Sequence, residues 1–279
     1  MIVDDYYESG ETPILYTRYR DEDGNLIEDT VRNYKPYFWI PANVGEYRRR
    51  RLTIRYPGAV ITDDTAVGLD GTPLIKVEAE SPFDIISMRQ EFDKTYEADL
   101  RFTDRWLIDN VPVMPEWKPR KWWFDIECDT GDTPFTTVIA VIDSDLDKPV
   151  VFAWADERTN CSYGDPGLGI HRTRTVRGIE YELDIYGSES DLHEAFVEFL
   201  QERDPDMMIA HAGSFFDIPH LLQRIPNPQR LSPVGQIRRM KRGKDRYDPT
   251  DQPIVGRWQF DTAAQAASGT GFERVWKDS

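Results

Sequence analysis

The stretch KWWFDIEC, residues 121–128, sets the strongest constraint on this chain. Its apolar and aromatic residues read as a β-strand, yet Asp125 and Glu127 interrupt it one residue apart. Side chains alternate faces along a strand, so the two carboxylates share one face and Phe124 and Ile126 share the other. Like charges so placed repel, and withdrawing them from water costs several kcal/mol unless something offsets them. A solvated strand end is one solution. A hard divalent cation, Mg²⁺ or Mn²⁺, is the other, because such ions prefer carboxylate oxygens.

The surrounding pattern predicts two regions. Residues 1–117 read as α+β. ILYTRYR (14–20) and LIEDTV flank an Asp23-Gly24 turn, a strong hairpin signal. YKPYFWIP (34–41) and PLIKVEAE (73–80) read as further strands, the latter after a turn at Asp70-Gly71. Ser81-Pro82 supplies an N-cap and a proline for the first helical turn, with Ile85, Met88 and Phe92 following at helical spacing. Pro112, Pro115 and Pro119 then mark an extended linker. Residues 118–279 change rhythm. TTVIAVIDSD (136–145) and PVVFAWAD (149–156) follow KWWFDIEC as strands, and a polar stretch without pattern comes next. SESDLHEAFVEFLQER is amphipathic with period 3.6, and MMIAHAG (207–213) is a short strand. FFDIPHLLQRI starts a helix, and GRWQFDTAAQAAS (256–268) reads as strand then helix. Three strands, helix, strand, helix, strand is the order of an RNase H-like α/β domain. Sites in open α/β sheets gather at strand ends, which draws Asp217 toward Asp125 and Glu127.

Charge gives a mixed message. The formal net charge is −16, unlike the basic footprint of a general nucleic-acid binder. Arginines number 25 against nine lysines, and an acidic, lysine-poor surface suits high salt, where self-repulsion is screened. The densest basic run, QIRRMKRGKDR (236–246), offers Arg238, Arg239, Lys241 and Arg242 as phosphate contacts. The Arg48–Arg51 run reads instead as a solvated, salt-bridged face. Cys128 and Cys161 have no metal-ligand spacing and form no disulfide framework, which suits an intracellular, cytoplasmic setting. No apolar run approaches the ~18–20 residues of a membrane span.

Four segments, in order, resemble family B DNA polymerases. YKPYFWIP resembles the aromatic strand of that family's N-terminal domain. TYEADLRFTDRWLID resembles the segment joining it to the exonuclease, and KWWFDIE the first exonuclease motif. IAHAGSFFDIPHLLQR resembles the second, with its Phe-Asp before an (Ile/Phe)-Pro-(Tyr/His)-Leu helix. The resemblance implies an RNase H-like 3′→5′ exonuclease domain preceded by an α+β N-terminal domain. It implies two-metal hydrolysis of a 3′-terminal phosphodiester, with Mg²⁺ or Mn²⁺ ions ~3.5–4 Å apart. Asp125 would bridge both ions, Glu127 would ligate one and orient the attacking water, and Asp217 would hold the other. Phe215 and Phe216 would pack the helix or stack on a frayed terminal base, with packing the favoured reading. DNA, as a single-stranded 3′ end and as primer–template, is the implied partner.

Two departures stand out. The family's Asn five residues before its Asp is replaced by Ala212, and no later helix carrying a Tyr-x₃-Asp third motif is read after Asp217; Tyr247 and Asp251 have that spacing, but across Pro249 in a segment that does not read as a helix. The two-ion site is therefore expected to be incomplete in this chain, and the isolated chain weak or inactive. A fragment of a longer protein, or one half of a polymerase split over two chains, is expected, with a C-terminal polymerase chain carrying the third motif and the palm. The competing expectation is a non-catalytic module that binds single strands or docks onto a catalytic chain; a stand-alone proofreading exonuclease is a third.

Overall fold

The structure is a computed structural model and describes residues 1–8, 12–129, 131, 134–154, 170–238 and 252–267. It divides into two compact units: residues 3–18 with 26–116, and residues 19–25 with 117 onward. No helix among the described residues is long and apolar enough to cross a membrane.

The first unit is α+β. Strands β1 (Ile2–Tyr6), β2 (Ile14–Arg20) and β3 (Leu26–Val31) form one three-stranded sheet in that order, and Gly24 takes φ +83° in the turn before β3. A second sheet has the order β4 (Tyr37–Pro41), β6 (Pro73–Glu78), β5 (Val60–Val67). Helix α1 (Glu46–Arg55) carries the arginine run, and α2 (Pro82–Met88) and α3 (Phe102–Asn110) follow. Phe38, Ile40, Leu52, Val77 and Met88 are almost wholly buried and build this unit's core. Ser81 caps α2 in a full capping box with Asp84, as Ser81-Pro82 predicts. Within the arginine run, Arg48 pairs with Asp93 and Arg51 with Glu91, so these charges are spent on the protein's own surface.

The second unit is built on one seven-stranded sheet. Its strands are β7 (Lys121–Cys128), β8 (Thr136–Asp143), β9 (Val150–Trp154), β10 (Ile170–Val176), β11 (Ile179–Tyr186), β12 (Met207–Ala210) and β13 (Trp258–Asp261). They lie in the order β10-β11-β9-β8-β7-β12-β13. β7, β8 and β9 pair antiparallel, while β12 runs parallel to both β7 and β13. Without the β10–β11 hairpin at its edge, this is the five-stranded RNase H-like order. The hairpin falls in the stretch that reads as patternless, although β11 does alternate: Glu180, Glu182 and Asp184 share one face and Tyr181, Leu183 and Ile185 the other.

One face of the sheet is dry. Trp122, Phe124 and Ile126 of β7 meet Leu192, Phe196 and Leu200 of helix α4 (Glu189–Arg203) and Ile218 and Leu221 of helix α5 (Asp217–Arg224). Ser188 caps α4 by accepting from the Asp191 N–H at 3.1 Å. The turn Asp204–Pro205–Asp206, which feeds β12, is held by guanidinium groups: Arg20 donates to Asp206 at 2.9 Å, and Arg257 lies 3.0 Å from Asp204. Beyond β12 the chain turns through Ala212, whose φ is +64°. That is the left-handed region, which costs a residue with a Cβ roughly 1–2 kcal/mol. Ala212→Gly is therefore expected to stabilise the protein by about 0.5–1 kcal/mol in urea unfolding, after the extra freedom of glycine in the unfolded chain is subtracted. A lower midpoint with unchanged slope would show that the turn is not strained there.

Candidate active site

β7 outruns its neighbour. The β7–β12 pairing stops at Trp123↔Ile209, and β12 ends at Ala210. Asp125 and Glu127 lie past that point, exposed on the face opposite Phe124 and Ile126, as the alternation predicts. The space beyond β12 is filled by the turn 211–216, which delivers Asp217 as the first residue of α5. Asp217 is 1% exposed, and its Oδ2 is buried with no hydrogen-bond partner. Burial, then the charge of Asp125, pushes the Asp217 carboxyl up to about 7; a hydrogen bond from the Ile126 N–H opposes the shift. Asp125 and Asp217 are thus neighbours that repel. Among the described residues, no three His, Cys, Asp or Glu side chains close into a set that could hold a cation, so Glu127 does not complete a preformed cage with the other two.

The residues around Asp217 hold it stiffly. His220, one turn further along α5, contacts Thr136 Oγ1 at 2.9 Å and Cys128 Sγ at 3.3 Å. Thr136 Oγ1 also contacts His193 at 2.8 Å, and the Thr136 N–H donates to Glu189 at 2.8 Å. Arg224 at the end of α5 grips Glu189 with two N–H groups, one at 2.9 Å. This network ties the start of β8 to α4 and α5. Its members are scattered over 89 residues of sequence (Thr136 to Arg224), and no local motif announces them. Burial lowers His193 to about 4 and raises the Cys128 thiol to about 11, so both stay neutral at neutral pH.

Phe216 is 43% exposed and lies over His220, with ring centroids 5.7 Å apart, whereas Phe215 is half-buried. Arg238 donates a backbone N–H to Pro253 O at 2.8 Å, and its guanidinium donates to the Gln252 carbonyl at 3.3 Å. Arg239, Lys241 and Arg242 lie outside the described residues. Asp261, at the end of β13, has both carboxylate oxygens engaged by neighbouring N–H and O–H donors.

The Asp217 shift has a definite sign. Its folded-state value stands above the ordinary 3.8, so the stability it contributes is fully present below about pH 3.8 and is lost as pH rises through about 7. In EDTA, Asp217→Asn is therefore expected to match the wild type near pH 4 and to exceed its stability at pH 8–9. The ceiling is about 4 kcal/mol, from about 1.4 kcal/mol per pKa unit. Equal melting temperatures at both pH values would show that Asp217 is solvated or already paired.

Comparison with known proteins bears on this geometry. Residues 160–266 match the family model for the DNA polymerase family B exonuclease domain. A DNA polymerase of Pyrococcus glycovorans is 24% identical over 281 residues, covering 94% of this chain and 33% of that protein. A DNA polymerase of Thermococcus litoralis is 26% identical over 247 residues, covering 80% of this chain and 13% of that protein. The chain thus spans a third or less of the length of these relatives. The structure of the family B DNA polymerase from Pyrobaculum calidifontis superposes with a TM-score of 0.64 at 20% identity, covering 94% of this chain and 36% of that one, and shares its fold. The chain is thus similar in sequence and fold to the N-terminal and exonuclease portion of family B DNA polymerases.

Proposed function

We propose that this chain is the proofreading part of a DNA-directed DNA polymerase, removing 3′-terminal nucleotides by metal-assisted phosphodiester hydrolysis. The observation that carries the reading is the buried Asp217 Oδ2, without a partner and beside Asp125. Buried polar atoms are almost always satisfied, and a carboxylate pair that repels is the donor set a hard divalent cation fits. Asp125 and Asp217 would hold Mg²⁺ or Mn²⁺, with Glu127 at the exposed rim. A bound ion supplies a water of lowered pKa and offsets charge on the phosphate.

The chain's own groups account for the rest. Glu127, on the face of Asp125, would accept a hydrogen bond from the attacking water and orient it. Asp217 would release its proton as the cation enters. The exposed ring of Phe216 would stack on an unpaired terminal base without reading its identity. Arg238, Arg239, Lys241 and Arg242 would contact backbone phosphates. DNA is the proposed substrate, and a polymerase segment that carries a further carboxylate and the palm is the proposed partner, in an intracellular setting.

The absence of a preformed three-carboxylate set among the described residues favours a second reading, a module that binds single strands without cutting them. The two separate in one assay. With a 5′-labelled single-stranded oligonucleotide and Mn²⁺, the chain is expected to shorten the strand from its 3′ end, slowly when alone and faster with the polymerase segment added. Asp125→Ala is expected to lower that rate at least about 100-fold while leaving the melting temperature nearly unchanged, since loss of an outer-shell partner alone costs 10–100-fold. Strand binding without shortening supports the second reading; shortening that survives Asp125→Ala contradicts the site.

A further inference from the structure

We propose that Asp261 is a positioning residue: its carboxylate holds the Ala212–Ser214 turn in the one conformation that sets Asp217 for a divalent cation. The inference rests on the nuclease reading above and concerns a residue that touches neither cation nor DNA.

The hydrogen bonds divide unevenly. Asp261 Oδ1 accepts from the N–H groups of Ala212 at 3.1 Å, Ala263 at 2.9 Å and Ala264 at 3.1 Å. Oδ2 accepts from the Ser214 N–H at 3.0 Å and from the Ser214 hydroxyl. Two of the five donors belong to the first turn of helix α6 (Thr262–Ala267), which Asp261 caps. The other three belong to the turn after β12. A carboxylate offers about four lone-pair sites, so five donors leave Asp261 nothing for a metal. These bonds, with burial working against them, hold its carboxyl below the ordinary carboxylate value.

What the three bonds hold is a turn with little freedom. Ala212 sits at φ +64°, a conformation that persists only where its surroundings over-determine it. Gly213 has no room for a side chain, because a Cβ there would lie 2.8 Å from the Cβ of Ala210. The turn then passes its geometry directly into α5. Ala212 O accepts from the N–H groups of Phe215 and Phe216 at 3.0 and 2.9 Å, and Gly213 O accepts from Ile218 at 2.9 Å. Asp217 follows the gripped Ser214 by three residues. Because Ala210 and Asp261 are register partners across β12 and β13, the clamp joins the ends of two adjacent parallel strands. A second contact beside it, His211 Nδ1 to Thr262 Oγ1 at 3.1 Å, joins the same two segments.

The test is Mn²⁺ binding, followed by loss of the free-ion electron paramagnetic resonance signal, alongside hydrogen exchange of the Ser214 amide. The relevant Mn²⁺ site is the one that Asp125→Ala removes. Asp261→Asn puts an NH₂ group against N–H donors, and is expected to speed Ser214 exchange at least 100-fold and raise the Mn²⁺ dissociation constant at least tenfold. Ser214→Ala, a milder change in case Asp261→Asn folds poorly, should raise it about threefold. The double variant should bind no more weakly than Asp261→Asn, because one clamp is lost once. Asp143→Asn is the control for general destabilisation: Asp143 is buried and accepts from Trp122 and Arg203, away from the turn. It should lower the melting temperature and leave Mn²⁺ affinity unchanged. Weakening in all variants in proportion to lost stability would overturn the inference, as would Mn²⁺ binding unaltered in both Asp261→Asn and Ser214→Ala. If the wild type has no Mn²⁺ site sensitive to Asp125→Ala, the nuclease reading falls and this inference with it; sensitivity to Asp125 but not Asp261 removes this inference alone.

Discussion

Repulsion between Asp125 and a buried Asp217 is the constraint on which the second unit turns. Nothing in the fold forces Asp217 into the interior except the way the strands end. β12 is four residues long and β7 is eight, so β7 projects its carboxylates past the last paired residue of its neighbour. The chain returning from β12 must cross that gap, and it places a carboxylate there with one oxygen unsatisfied. An apolar residue would fill the same space at lower free energy. Retaining an ionisable group at a strand end, against its own neighbour, is the pattern expected where function sets the residue.

The surroundings hold this unfavourable group in place with rigid, satisfied polar contacts. On one side, Asp261 fixes the left-handed turn at Ala212. On the other, His220, Thr136, Glu189 and Arg224 hold α5 against the sheet. His193 in this network and Asp217 itself respond to pH in opposite directions. His193, lowered to about 4, removes stability as pH falls from about 6.5 toward 4, because only the unfolded state then takes up its proton. Asp217 removes stability as pH rises from about 3.8 through 7. Between pH 4 and 6.5 the two effects oppose each other, and above that only the Asp217 term remains. A cation bound to the carboxylates would relieve it.

Much of this was legible in the sequence, for identifiable reasons. KWWFDIEC alternates cleanly because one of its faces is dry and the other is not, so strand, register and the shared face of Asp125 and Glu127 follow from period 2. α4 declares itself through Ser188 and a 3.6-residue apolar period. The β10–β11 hairpin was passed over although β11 alternates, because β10 (IHRTRTV) is polar along most of its length and hides the pairing. α1 was also missed, since its arginine run carries only one buried residue, Leu52. Within the site, Asp217 was visible through its place after a strand. The part Asp261 plays was not, because three of its five hydrogen bonds reach residues 47–49 positions away and in sequence it looks like any residue before a helix. The roles of Thr136 and His193 depend on contacts 57 residues apart, which no local pattern encodes. The phosphate contacts assigned to Arg239, Lys241 and Arg242 lie outside the described residues.

The central claim is that Asp125 and Asp217 form a cation site rather than a proton-sharing pair. Anomalous diffraction from crystals soaked in Mn²⁺ at pH 8 tests it most directly. The account predicts a peak within about 2.0–2.4 Å of an Asp217 carboxylate oxygen and of Asp125, the range of hard-cation oxygen bonds. Well-ordered carboxylates without a peak, with Asp217 and Asp125 drawn to hydrogen-bond distance of each other, would show that a proton satisfies the buried oxygen and would contradict it.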